Sequence, residues 1–142
     1  MKNLLLLIAI VGFVGSVQAQ KLTAKDVPAA VKKAFTKAYP MEKDVDWSKD
    51  GKNFEAQYDA KPGDMSITYK PDGELVETEM DIPVASLPEG VSAYVKKNHK
   101  DHKIKEAAKI TNADGTVTYE AEVNGMDLIF DSNGKYLKSV KA

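Results

Sequence analysis

Asp26-Val27-Pro28, with Val31 and Phe35 after it, returns 60 positions later as Ser86-Leu87-Pro88 with Val91 and Val95. Phe54-Glu55-Ala56-Gln57-Tyr58 returns as Tyr119-Glu120-Ala121-Glu122-Val123. Met65-Ser66-Ile67-Thr68-Tyr69, closed by Asp72-Gly73, returns as Met126-Asp127-Leu128-Ile129-Phe130, closed by Asn133-Gly134. A chain that repeats its cap, core and turn positions in one order is built from two copies of one supersecondary unit.

Each copy opens on a helix signal. Asp26 and Ser86 are the expected N-caps, Pro28 and Pro88 fall in the first turn, and Ser86 with Glu89 has capping-box spacing. Val27, Val31, Ala34, Phe35 and Ala38 recur every three or four residues and form one apolar stripe, with Lys32, Lys33 and Lys37 opposite. Leu87, Val91, Tyr94 and Val95 repeat the stripe, with Lys96, Lys97 and Lys100 outward, and Pro40 stops the first helix.

After each helix the period falls to two, which marks strands. The first copy predicts strands near Val45–Lys49, Asn53–Asp59, Met65–Lys70 and Glu74–Asp81. The second predicts them near Lys103–Thr111, Thr116–Val123, Met126–Asp131 and Lys135–Val140. Asp50-Gly51, Asp72-Gly73, Asp114-Gly115, Asn124-Gly125 and Asn133-Gly134 supply the positive φ of tight hairpins, so the strands form antiparallel meanders. The expected fold is α+β: two tandem helix-plus-four-strand repeats, an antiparallel sheet, and helices packed on one face.

Phe54, Ala56, Tyr58, Met65, Ile67 and Tyr69 are expected under the first helix. Val117, Tyr119, Ala121, Val123, Met126, Leu128 and Phe130 are expected under the second, and Trp47 at the core or its edge. Asp81 to Leu87 is too short to separate domains, so residues 20–142 read as one domain of two repeats, about 23–82 and 83–142.

Residues 1–19 read as a cleaved signal peptide: Lys2, an apolar run from Leu4 to Val14, then Val17-Gln18-Ala19 at the cleavage point. Gly12, Gly15 and Ser16 break that run short of a membrane span, so none is expected after cleavage. With no Cys there is neither a disulfide nor a lipid-modified cleavage site. Loss of Lys2 takes the formal net charge from −1 to −2, and every basic side chain is Lys. Without Arg to grip phosphate and guanine edges, nucleic acid is excluded as a partner. The expected location is periplasmic or secreted.

Few residues suggest chemistry. His99 and His102 have helical spacing but no third ligand and no Cys; they read as a helix C-terminal residue and a loop residue, and no metal or other cofactor is expected. Asp131-Ser132-Asn133-Gly134 and Asn112-Ala113-Asp114-Gly115 resemble calcium loops but lie between strands, where Asx-Gly makes turns. No Ser sits at a strand-to-helix elbow, and Glu120 with Glu122 are the expected product of alternation, so no catalytic residue is assigned and no enzyme activity expected. The helix Lys clusters read as solvated faces. The face opposite the helices carries Glu55, Gln57, Thr68, Glu77, Glu79, Thr118, Glu120, Glu122, Ile129 and Tyr136. Of these, Glu55, Gln57, Thr68, Glu120, Glu122, Ile129 and Tyr136 are the candidate protein-binding residues, with Tyr136 as a potential anchor.

A helix opening Val-Pro or Leu-Pro, then a meander with Phe-Glu-Ala and a Gly-turned hairpin, resembles the PepSY-like, beta-lactamase-inhibitor-like family of exported proteins common in Bacteroidetes. The resemblance runs from about Val27 to Ala142. It implies tandem helix-plus-four-strand units and a binding or inhibitory role outside the cytoplasm, with no catalytic residues to transfer. Unlike the disulfide-bearing inhibitor, this chain has no Cys pair. The expected function is an exported, non-enzymatic binding protein that docks a cell-envelope protein on its open sheet face, as an inhibitor or an interaction module. The alternatives are a periplasmic small-ligand or metal carrier, and an envelope stress or structural protein contacting surface polymers. The oligomeric state is left open.

Overall fold

The computed structural model describes residues 20–61 and 63–142. The reading of residues 1–19 as a signal peptide lies outside the described residues. In chain order the elements are β1 (Gln20–Leu22), α1 (Ala29–Ala38), β2 (Asp46–Asp50), β3 (Asn53–Tyr58), β4 (Met65–Tyr69) and β5 (Leu75–Asp81). A 3-10 turn at Val84–Ser86 leads to α2 (Glu89–Asn98), β6 (Glu106–Asn112), β7 (Val117–Val123), β8 (Met126–Asp131) and β9 (Tyr136–Lys141). The strands are ordered β1 to β9 in one sheet, each beside its neighbour in sequence, so the predicted α+β meander is the fold. Only β1, three residues with no alternation to reveal it, is missing from the sequence reading.

The chain divides into two compact units, one holding the residues up to Asp59 with Ser66–Glu77, the other Ala60–Met65 with Thr78–Ala142. In the first, Val31 and Phe35 of α1 are buried, as are Trp47, Phe54, Ala56, Tyr58, Ile67 and Tyr69 of the strands. Phe35 meets Trp47 edge-on at 5.4 Å between ring centroids and Tyr58 at 6.0 Å. Edge-to-face aromatic pairs of this kind add to simple area burial. Burial of Tyr69 pushes its phenol up to about 12.

In the second unit Leu87, Val91 and Val95 pack on Ala107, Ala121, Val123, Leu128 and Phe130. Tyr94 stacks flat on Tyr136 at 4.5 Å and meets Phe130 edge-on at 5.5 Å. Met65, Val117, Tyr119 and Met126 point as expected but are only half-buried, and Ala38 is exposed because α1 ends there.

The repeat extends to backbone detail. Pro28 and Pro88 precede their helices with ψ of 142° and 143°, and Tyr39 and His99 close them with φ of −128° and −129°. The expected side-chain caps are not formed. Proline itself takes the boundary position, since its fixed φ and missing N–H suit a place where no donor is needed. The Pro28 carbonyl accepts the Lys32 N–H at 3.1 Å and the Pro88 carbonyl the Val91 N–H at 2.9 Å. Asp26 turns back instead, accepting the Thr23 N–H at 3.1 Å and hydroxyl at 2.6 Å, which holds its carboxyl below the usual range. Ser86 lies in the 3-10 turn, its N–H donated to Pro83, so the Ser86–Glu89 capping box is absent.

Each helix start is braced by a hairpin turn. A Cβ at Gly73 would stand 2.7 Å from the Ala30 carbonyl oxygen, and one at Gly134 3.1 Å from the Gly90 Cα. Both glycines have positive φ, +88° and +81°, so geometry and space together require glycine.

Candidate functional site: the acidic sheet face

The two-residue turn at Asn124 (φ 53°) and Gly125 (φ 73°) pairs Val123 with Met126 and thereby sets the register of β7 and β8. With Val123 and Met126 on the α2 side, Glu122 and Asp127 fall directly opposite each other on the other face, followed by Glu120 opposite Ile129. Adding β6 and β9 gives three rows. One is Ile110, Thr118 and Asp131; the next is Ala108, Glu120, Ile129 and Lys138; the third is Glu106, Glu122, Asp127 and Val140.

This face is not the solvated surface that the alternation suggested. Glu120 is 6 % exposed, Asp127 3 % and Ile129 8 %, and Ala108 and Ile110 are buried as well. Directly opposed side chains on neighbouring strands stand about 4.5–5.5 Å apart, so the rows shield one another. All the buried charged residues among those described are carboxylates: Glu55, Glu77, Glu79, Glu120 and Asp127.

The electrostatics follow from the crowding. Asp127 is pushed up to about 6, first by burial and then by the charges of Glu122 and Glu106, with Lys105 opposing. Asp81 on β5 is likewise pushed up to about 6 by burial, with Asp64 and Glu106 adding to it. Lys105 lies beside the face, its Nζ 3.1 Å and 3.3 Å from the two Glu122 carboxylate oxygens and 3.6 Å from Glu106. It remains well exposed, so this pairing is worth little in stability.

The first unit carries its own acidic positions. Glu55, opposite Ser48, accepts the Ser48 hydroxyl at 2.9 Å and also the Ser66 hydroxyl. Gln57, opposite Asp46, and Thr68 are half-buried, and Lys21 reaches Asp46 at 3.1 Å. Burial raises the carboxyl of Asp50, and the charge of Glu55 adds to it.

Of the predicted site residues, Glu120, Glu122 and Ile129 therefore lie together, and Glu55, Gln57 and Thr68 belong to the other unit. Tyr136 does not lie on this face. A register shift between Ile129 and Phe130 pairs Ile129 with Lys138 and Phe130 with Tyr136, which turns Tyr136 into the α2 core beside Tyr94. Asp127, Glu106, Ala108 and Ile110 also belong to the face, the charge of Glu106 reaches Asp81, and none of these five is among the candidates read from the sequence. The Asn124-Gly125 turn already implied that Asp127 opposes Glu122.

The remaining candidates have structural places. The Asp131 carboxylate accepts the N–H groups of Asn133 and Lys135, and Asp114 those of the Thr116 N–H and hydroxyl, as Asx turns require. His99 closes α2 through its N–H to the Val95 carbonyl, and the His102 N–H is donated to the His99 carbonyl. Among the described residues no group of three or more His, Asp or Glu side chains is arranged to hold a metal ion, and no helix is long and apolar enough to cross a membrane.

Solved structures share this fold. A DUF2874 family protein from Bacteroides ovatus superposes with a TM-score of 0.71 at 20% identity, over 82% of this chain and 89% of its own. A protein from Bacteroides eggerthii described as a "putative periplasmic" protein gives 0.72 at 20% identity, over 81% and 88%. A BLIP-like protein from Bacteroides fragilis gives 0.66 at 18% identity, over 81% and 86%. No curated protein matches the chain significantly. The family model described as "Putative beta-lactamase-inhibitor-like, PepSY-like" matches residues 16–77 and again residues 57–138, two overlapping matches. With these matches covering most of its length, the chain belongs to the PepSY-like, beta-lactamase-inhibitor-like family.

Proposed function

We propose that this protein is an exported, non-enzymatic binding protein of the periplasm or cell exterior that docks a cell-envelope protein on the sheet face away from its helices. The carrying observation is the row structure in the second unit, where Ala108, Ile110 and Ile129 alternate with Glu106, Glu120, Glu122 and Asp127. An apolar floor interleaved with fixed charge suits recognition of another macromolecular surface. The BLIP-like description of one structural relative and the periplasmic description of another agree with this reading. On the helix side the described apolar residues Val31, Phe35, Val91 and Val95 are committed to the core.

The test is site-specific photo-crosslinking in envelope extract. A crosslinking side chain at Gln57, Thr68 or Glu122 traps a discrete protein, whereas one at Lys33 or Lys97 on the outer helix faces does not. Equal trapping from both sets of positions, or none from the sheet positions, overturns the proposal.

A further inference from the structure

In the second unit the Tyr94 ring of α2 lies on the Tyr136 ring of β9, with centroids 4.5 Å apart and planes 6° from parallel. The Tyr94 hydroxyl is hydrogen-bonded to that of Tyr136, which in turn donates to the Ser139 Oγ at 3.2 Å. Tyr94 and Tyr136 are half-buried, and Ser139 is exposed. Tyr39 and Tyr58 of the first unit are farther apart, at 5.6 Å, and tilted by 55°. Packing alone accounts for an offset aromatic stack, and a Phe at either position would fill the same space. Packing does not call for two phenols held hydroxyl to hydroxyl, with a third hydroxyl leading out to solvent.

That arrangement has the parts of an oxidation site. Taking an electron from a neutral phenol also releases its proton. Here the proton of Tyr94 passes to Tyr136, and that of Tyr136 to Ser139 at the surface. Two tyrosyl radicals join through ring orbitals whose lobes stand perpendicular to the ring plane, at the carbons beside the hydroxyl. Parallel rings with neighbouring hydroxyls bring those lobes face to face.

We propose that Tyr94 and Tyr136 form an oxidative coupling site, which ties α2 to β9 through a dityrosine bond when hydrogen peroxide acts through a haem peroxidase. Each phenol gives up one electron and its O–H proton. One carbon–carbon bond forms between the two ortho carbons, and each of these then passes its ring proton to its own phenol oxygen as aromaticity returns. The protein loses two hydrogens in all, and one peroxide takes up the two electrons and two protons to become two waters. The bonded residues are 42 positions apart in the chain. A covalent tie across such a loop restricts the unfolded chain as a disulfide does, and this chain has no Cys with which to make one.

The test treats the purified protein, kept dilute, with a haem peroxidase and hydrogen peroxide. Dityrosine fluorescence, intact mass and the linked peptides are read. The expected product is a single chain lighter by two hydrogens, in which the peptide holding Tyr94 is joined to the one holding Tyr136. Tyr136→Phe keeps the ring but forms no phenoxyl radical, so it folds like the parent and loses the product, as does Tyr94→Phe. Tyr39→Phe leaves the yield unchanged. Dityrosine that persists in Tyr136→Phe, a bond through Tyr39 or Tyr58 instead, bonds only between copies, or no bond in the parent overturns the proposal.

Discussion

Replacing Asp127 by Asn should make the protein more stable at neutral pH. The unfolded carboxyl ionises near 3.8, whereas burial and the neighbouring acids hold the folded one near 6. Between those values the folded state keeps a proton that the unfolded state has lost, so stability falls as pH rises through that window and the full penalty is present above it. Two pH units correspond to about 3 kcal/mol for a fully desolvated group. Residual solvent at the rim lowers the expected gain to about 1–2 kcal/mol, or roughly 3–8 °C in melting temperature. Urea denaturation at pH 4 and pH 7.5 reads the difference. The variant should match the parent at pH 4, exceed it at pH 7.5, and show a shallower decline between. A variant equally or less stable at pH 7.5 would refute the claim that burial and the neighbouring acids make the ionised Asp127 destabilising. Asp81, displaced in the same direction, contributes a decline of the same sign to the parent and to the variant, so the comparison isolates Asp127.

Gly73→Ala should cost about 2–4 kcal/mol, because the new methyl meets the Ala30 carbonyl. Gly51→Ala, with positive φ but nothing within 4 Å, should cost only about 1 kcal/mol; equal losses in thermal melts would argue against the brace. Tyr136→Ala should lower stability by about 2–3 kcal/mol through loss of the Tyr94 stack, and a fully stable variant would place Tyr136 outside the core. Phe130→Ala, at a fully buried site, should cost about 3–5 kcal/mol, enough to show as lost near-ultraviolet dichroism at 37 °C.

The architecture was legible because helix period, strand period and Asx-Gly turns all repeat in one order, and each carries its own geometry. Asn124-Gly125 sets a register that puts Leu128 and Phe130 under the helix and Glu120 and Glu122 away from it. Three features were hidden. Alternation tells which side Glu120 and Asp127 occupy but not how far their neighbours cover them, so buried acids read as wet ones. The register shift after Ile129 is one extra residue with no turn signal, and it moved Tyr136 to the other face. Asp26 and Ser86 have good cap chemistry, but the prolines two residues later already fill the boundary, leaving the polar side chains to local turns.

The same register shift bears on how copies of the protein meet. Among the described residues, β1 and β9 each have one neighbouring strand, which leaves one open backbone row on each. Such flanks invite another chain to add a strand. Here β1 is only three residues long, while β9 is kinked by the irregularity and studded with Lys138 and Lys141. Among the described residues neither rim is a flat template, and features of this kind blunt the addition of strands from one copy to the next.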